Sequence, residues 1–168
     1  MNVNPGHSNG GGYRVPLAYA LSQPPGSPWT ATNPIGYTIS TMGTLNTGPA
    51  NYVPTQWLNH EGHPGWQIPQ ITAILNKSLS TNPAKPDLIT IHLGTNDCDA
   101  KTPTTEMEDR MNTLLAEILA TTPTSQVFVA DIIATGDGFN DCIVDFARSS
   151  VFVHRKFVCK GLESHVLP

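Results

Sequence analysis

Charge is scarce in this sequence. Asp, Glu, Lys and Arg make up 13% of its 168 residues, and nine basic against thirteen acidic side chains leave a net charge of −4. That balance gives no attraction to nucleic acid or to an anionic membrane surface. No apolar run is long enough to cross a bilayer. Cysteine is almost absent as well. Cys98, Cys142 and Cys159 are too few for a disulfide scaffold and lack metal-ligand spacing, so no metal or other cofactor is expected. In an oxidising compartment one pair can bridge, which leaves one thiol over. The start, Met1-Asn2-Val3-Asn4-Pro5-Gly6, has neither the basic residues nor the apolar core of a signal peptide.

What the chain has in quantity is Pro (15) and Gly (14), a sign of structured loops between elements. Its length suits one domain of ordinary size. The charge is unevenly spread. Residues 1–147 hold five Lys/Arg and twelve Asp/Glu, a net of −7, whereas residues 148–168 hold four Lys/Arg and Glu163 alone, a net of +3. A break near residue 147 therefore separates the main part from a short basic tail.

Along the chain, Arg14 to Gln23 suits a short helix with Pro16 in its first turn. Tyr37 to Met42 has strand character and stops at Gly43. A long loop, Thr44 to Trp66, carries Trp57, His60, Glu61, His63 and Trp66, and loops of this length are usually functional. Ile68, Ile71, Ile74 and Leu75 give Gln67 to Leu79 a helical apolar face. Glu106 to Ala120 carries Met107, Met111, Leu114, Leu115, Ile118 and Leu119 on one face, with a capping-box pattern at Thr105 and Glu108. Val127 to Ile133 suits a buried strand, and Phe139 to Phe146 suits the start of a helix. Strands alternating with helices predict an α/β domain with a parallel sheet between helix layers.

Pro86 to Asp97 (PDLITIHLGTND) is the most informative stretch. Leu88 to Leu93 has the length and β-branched content of a strand covered on both faces, with His92 a buried strand histidine. In an open α/β sheet, ligands bind beyond the carboxyl ends of the strands, which is where Gly94, Asn96 and Asp97 would lie. On its own the tip fits a plain Gly-Thr-Asn-Asp turn better, since Gly, Asn and Asp are turn residues in any case.

Several segments in order resolve that choice. Gly12-Tyr13-Arg14-Val15-Pro16-Leu17, the Ile39–Gly48 region, His60-Glu61-Gly62-His63-Pro64-Gly65-Trp66, Pro86 to Asp97, and Phe139-Asn140 with Ile143 together resemble the SGNH hydrolases, also called GDSL-type lipases and esterases. The Glu-Gly-His-Pro-Gly-Trp loop looks most like the branch containing acetyl xylan esterases. The resemblance implies a three-layer α/β/α sandwich with a flavodoxin-like parallel sheet over residues 1–147, followed by the atypical tail 148–168. It also implies a chemistry in which a serine attacks an ester carbonyl while a histidine, oriented by an aspartate, takes its proton. Gly65 matches the family's oxyanion glycine and Asn96 its oxyanion asparagine. Asp97 is expected to fix the loop.

The chain departs from the family at both ends. The nucleophile belongs in Gly-Asp-Ser after an apolar first strand, and neither is present. Gly6-His7-Ser8 is the nearest imitation and makes Ser8 the candidate nucleophile, in a loop rather than at a sharp strand-to-loop turn. The base belongs in Asp-x-x-His-Pro, and Ser164-His165-Val166-Leu167-Pro168 leaves His165 two places out of register. Both departures predict a sheet lacking its first strand and its native last strand. Without the first strand, Tyr37–Met42 would have no neighbour and the chain would be marginally stable.

The expected function is hydrolysis of an acetylated carbohydrate or short acyl ester, with a small-molecule or polysaccharide substrate and an extracellular location. The alternative is an inactive fragment or carbohydrate-binding pseudoenzyme. In either case Trp57, His60, His63 and Trp66 are the candidate sugar contacts, unless the tryptophans simply cap the core. His60 and His63 have helix-like spacing but no third ligand, so no metal site is expected. The oligomeric state is open.

Overall fold

Pro16 occupies a position where proline is tolerated, the first turn of helix α1 (Arg14–Leu21), whose Val15 and Ala18 are buried. The structure, a computed structural model, describes residues 14–22, 38–48, 54–79, 83–130, 141–142 and 144–146. The chain forms two units, Met1–Gly62 and His63–Pro168.

In the first unit, two short strands, β1 (Leu45–Asn46) and β2 (Asn59–His60), pair antiparallel, with Leu45 opposite His60 and Asn46 opposite Asn59. A single 3₁₀ turn, Thr55–Trp57, leads into β2. The Arg14 guanidinium donates to the carbonyls of Leu58 and Thr47, both at 3.2 Å, and so ties the start of α1 to this ribbon. Gly43 is obligatory here. Its φ is 144°, and a Cβ would lie 2.2 Å from the backbone of His60.

The strand expected over Tyr37–Met42 is not present in its described part. Residues 38–42 are irregular, and their backbone groups go elsewhere. Trp57 Nε1 donates to Ile39 O at 3.0 Å, Asn59 Nδ2 to Thr41 O at 3.1 Å, and Thr41 N to Gln56 O at 2.8 Å. Thr and Ile favour strands only where a neighbouring strand completes the ladder, and here two side chains and one loop carbonyl take its place. The segment expected as one long loop, Thr44 to Trp66, instead contains β1, the 3₁₀ turn and β2.

Among its described residues the second unit is built on two longer helices, a short one and a two-stranded parallel sheet. Helix α2 (Ile68–Leu79) precedes strand β3 (Leu88–Ile91). A short helix α3 (Thr95–Asp99) then leads to helix α4 (Thr104–Thr121) and strand β4 (Gln126–Val129). Strands β3 and β4 run parallel, with Leu88, Ile89, Thr90 and Ile91 opposite Gln126, Val127, Phe128 and Val129. The ladder continues at both ends through Gln126 N to Asp87 O and Ala130 N to Ile91 O.

The α4 face drawn from its 3.6-residue period is the centre of the core. Met107, Met111, Leu114, Leu115 and Ile118 are all buried there with Ile68, Leu75 and Leu79 of α2, Ile91 of β3, Cys98 and Phe146. Burying one such side chain contributes about 1.5–3 kcal/mol against its exposed state. The start of α4 differs from expectation. The helix begins at Thr104 with Pro103 as N-cap, in an extended conformation and with no side-chain cap bond. The Thr105/Glu108 capping box is therefore not used, because Pro103 already sets the chain's entry into the helix.

The sheet also differs. Ile89, Leu93, Val127 and Val129 pack on the core, but Thr90 and its partner Phe128 face away from it, and Phe128 is 46% exposed. Among the described residues one face of each strand is covered, not two. An apolar run reports that a segment can be buried; it does not report how many layers cover it. His92, just past β3, is exposed rather than buried.

Candidate active site

Beyond the carboxyl end of β3 the chain turns at Gly94, whose φ of 118° is a left-handed value that favours glycine. The turn delivers Asn96 and Asp97 into the first turn of α3. The half-buried Asn96 donates its Nδ2 to Trp66 O at 2.7 Å, across 30 residues of sequence. Because the partner is a carbonyl, this bond fixes which end of the amide carries the N–H groups. One N–H is used in this way and the second remains available.

Trp66 directly follows Gly65, which is exposed and has a φ of 81°. A Cβ at Gly65 would meet nothing within 4 Å, so the backbone angle rather than crowding is what favours glycine. The Gly65 amide has no hydrogen-bond acceptor among the described residues. Trp66 N closes the turn on His63 O at 3.2 Å, and the Trp66 and His63 rings stack with centroids 3.9 Å apart. The structure thus joins the segment of Gly65 to the side chain of Asn96 in one place.

Asp97 holds the same two segments from the inside. Its wholly buried carboxylate accepts the Ile68 amide at 3.1 Å and Arg110 Nη1 at 2.7 Å. The Ile68 N–H belongs to the first turn of α2, where backbone donors lack intrahelical partners and a negative charge is favoured. The loop-fixing role expected of Asp97 is what its geometry provides. Arg110 Nη1 also reaches Gln67 Oε1 at 3.2 Å, and Nη2 meets Glu106 at 2.7 Å one turn back on α4. The Asp97 hydrogen bond, and with less weight Glu106, holds the guanidinium above its usual pKa, while desolvation pulls the other way.

Sequence reasoning missed Arg110. The available signal was a lone basic residue in the otherwise acidic run Glu106-Met107-Glu108-Asp109. It also left the cysteine pairing open. The bridge joins Cys98 of α3 to Cys142, with Cα atoms 5.8 Å apart and a sequence separation of 44. Met107 Sδ packs against it, 3.9 Å from one sulfur and 3.7 Å from the other. Since bonded cysteines have no S–H, these are thioether contacts. Closing a loop of that length stabilises by about 4 kcal/mol in the chain-entropy account.

The remaining candidates divide by unit. In the first, Trp57 is buried at 9% exposure with its indole N–H bonded to Ile39 O, which matches the core-capping alternative. His60 Nδ1 accepts the Gly62 amide at 2.9 Å, so its proton sits on Nε2 and is donated to Thr47 Oγ1 at 2.6 Å. That polarity makes His60 a clasp rather than a base for Thr47. Glu61 accepts the Thr44 amide and, at 3.0 Å, the Thr44 hydroxyl. In the second unit, His63 and Trp66 are half-buried as the stacked pair. Ser8, His165, Phe139, Asn140 and Ile143 lie outside the described residues. Among the described residues no group of three or more His, Cys, Asp or Glu could hold a metal, and no helix is long and apolar enough to cross a membrane.

Helices packed on a parallel sheet, with Gly65 and Asn96 brought together beyond a strand's carboxyl end, define an α/β protein. The GDSL-like lipase/acylhydrolase family model matches residues 29–148, and the chain belongs to that family, the three-layer α/β/α SGNH hydrolases. A family 3 carbohydrate esterase of Clostridium thermocellum superposes with a TM-score of 0.58 at 25% identity, over 73% of this chain and 56% of that one. The chain thus spans little more than half the length of that esterase. No curated protein matches it.

Proposed function

We propose that this chain hydrolyses acetyl or other short acyl esters of a carbohydrate, with Gly65 N–H and the second Asn96 N–H as oxyanion donors. The observation that carries the reading is the Asn96 Nδ2–Trp66 O bond, which supports a pre-set amide beside the Gly65 turn. As a nucleophile adds to the ester carbonyl, the carbonyl oxygen becomes negative, and donors already aimed at it stabilise that charge without reorganising. Ser8 is the proposed nucleophile and His165 the proposed base. His63 and Trp66 offer a flanking surface for a sugar ring. The Cys98–Cys142 bridge supports an extracellular location, since such bonds persist in oxidising compartments.

Turnover of p-nitrophenyl acetate and release of acetate from acetylated xylan test this reading. Asn96→Ala should lower kcat about 10²–10³-fold. Ser8→Ala should abolish turnover; unchanged turnover in that variant would remove Ser8 from the mechanism.

One observation favours a second reading. The sequence has no Gly-Asp-Ser and no Asp-x-x-His-Pro, so a carbohydrate-binding chain without turnover is the alternative. Xylo-oligosaccharide titration followed by tryptophan fluorescence, with no acetate released, would select it.

A further inference from the structure

The two proposed oxyanion donors come from segments 30 residues apart, and each is a short loop element. Asn96 sits in a five-residue helix and Gly65 in an exposed turn. Each segment closes its own turn, Cys98 N on Gly94 O at 2.9 Å and Trp66 N on His63 O at 3.2 Å. Bonds within a segment do not set the spacing between two segments, which must hold to a few tenths of an ångström for both donors to reach one oxygen. The Asn96–Trp66 bond ties the two segments at one point, and a single hydrogen bond still lets them pivot about it.

We infer that Arg110 is the positioning residue of this site, holding the Asn96 segment and the Gly65 segment together through one guanidinium nitrogen. Nη1 meets Asp97 Oδ1 at 2.7 Å, next to Asn96, and Gln67 Oε1 at 3.2 Å, two residues after Gly65. Asp97 completes the frame through Oδ2, which accepts the Ile68 amide at 3.1 Å. Arg110 itself stands on α4, whose next apolar face residue, Met111, is buried in the core. The guanidinium is planar and permanently charged, so it offers a fixed fork to both acceptors. Its outer nitrogen points to Glu106, an exposed partner that adds little. Arg110 touches no reacting atom in this account; it acts through Asp97 and Gln67.

The inference rests on the reading of Gly65 and Asn96 as oxyanion donors, and its test separates the two. Wild type, Arg110→Met, Arg110→Lys and Glu106→Gln are compared by kcat and KM on p-nitrophenyl acetate and by the NMR resonance of the Asn96 side-chain amide, identified by its loss in Asn96→Asp. Arg110→Met should lower kcat about 10²-fold and Arg110→Lys about tenfold, with KM little changed. The Asn96 amide resonance should move in both, and move back part of the way from Met to Lys. Glu106→Gln should leave rate and resonance as in wild type. An arginine that merely stabilised the fold would lower the melting temperature and leave the Asn96 resonance in place. If Arg110→Met does not fold, Arg110→Lys decides. A folded Arg110 variant with wild-type kcat and wild-type Asn96 resonance overturns the inference. If wild type itself shows no turnover, the hydrolase reading fails and the resonance alone decides the positioning role.

Discussion

Each unit is held together internally by different means. In Met1–Gly62 the described residues bury Val15, Ala18, Trp57 and Leu58 and add a series of polar ties. Arg14 reaches two carbonyls, Trp57 and Asn59 bond the 38–42 segment, Thr44 bonds Glu61, and the strands are two residues long. In His63–Pro168 a continuous apolar cluster, the buried Asp97 paired with the part-exposed Arg110, and a disulfide back the segments of the proposed oxyanion donors. Surface hydrogen bonds net little because water competes for the same groups, whereas apolar burial does not face that competition. The comparison teaches where precision resides. The donors are carried by loops, but the loops run directly into Ile68 and Cys98 of the apolar cluster.

The largest expected effect is in the second unit. Removing the guanidinium with Arg110→Ala leaves the Asp97 carboxylate buried without its cation, which should cost about 3–5 kcal/mol in urea unfolding. A loss under about 1 kcal/mol would mean that water reaches Asp97 and that the pair is not an anchor. Next comes Cys142→Ser, expected to cost about 2–4 kcal/mol, read from the same denaturation curves with and without reductant. Wild type should become reductant-sensitive by the same amount, and the variant should not.

In the first unit, Gly43→Ala forces a Cβ into the backbone of His60 at a left-handed φ. It should cost about 1–3 kcal/mol. Hydrogen exchange should then rise at residues 43–46 and 59–60 while α4 keeps its protection, since the affected contacts all lie in the first unit. The smallest effect is expected for Asn46→Ala, which removes the 2.7 Å cross-strand bond to Asn59 and should cost about 1 kcal/mol or less. A value near that of Arg110→Ala would erase the contrast between the units.

The sequence made visible what depends on local period. The α2 and α4 faces were legible because Ile68, Leu75, Met107, Met111 and Leu114 recur at the helical repeat and nothing distant alters that spacing. The β3 strand was legible from its apolar run, and the Gly94–Asp97 tip from its place after it. What was not legible depends on partners remote in sequence. Thr38–Met42 has strand-forming residues, but strand identity requires a neighbour, and Gln56, Trp57 and Asn59 occupy that position instead. Arg110 carries no local sign of reaching Asp97, thirteen residues earlier. The Cys98–Cys142 pairing could not be separated from the pairings with Cys159 by spacing alone. The capping box failed for a local reason that could have been weighed: a proline already stands at the helix entrance.

Within the candidate site, Gly65, Asn96 and Asp97 were drawn from family motifs, and the geometry joins their segments. The stacked His63–Trp66 pair was likewise in view, as a loop of aromatic and imidazole rings. Trp57 and His60 were grouped with it because they are close in sequence. The first is buried and the second is committed through both ring nitrogens, so nearness along the loop was a poor guide to shared exposure.

The most direct measurement is kcat for p-nitrophenyl acetate in wild type and in Asn96→Ala, with near-ultraviolet circular dichroism to verify an unchanged fold. A fall of about 10²–10³-fold with KM little altered is the predicted result. Equal turnover in the two proteins, or none in wild type, would contradict the assignment of Asn96 to an oxyanion hole.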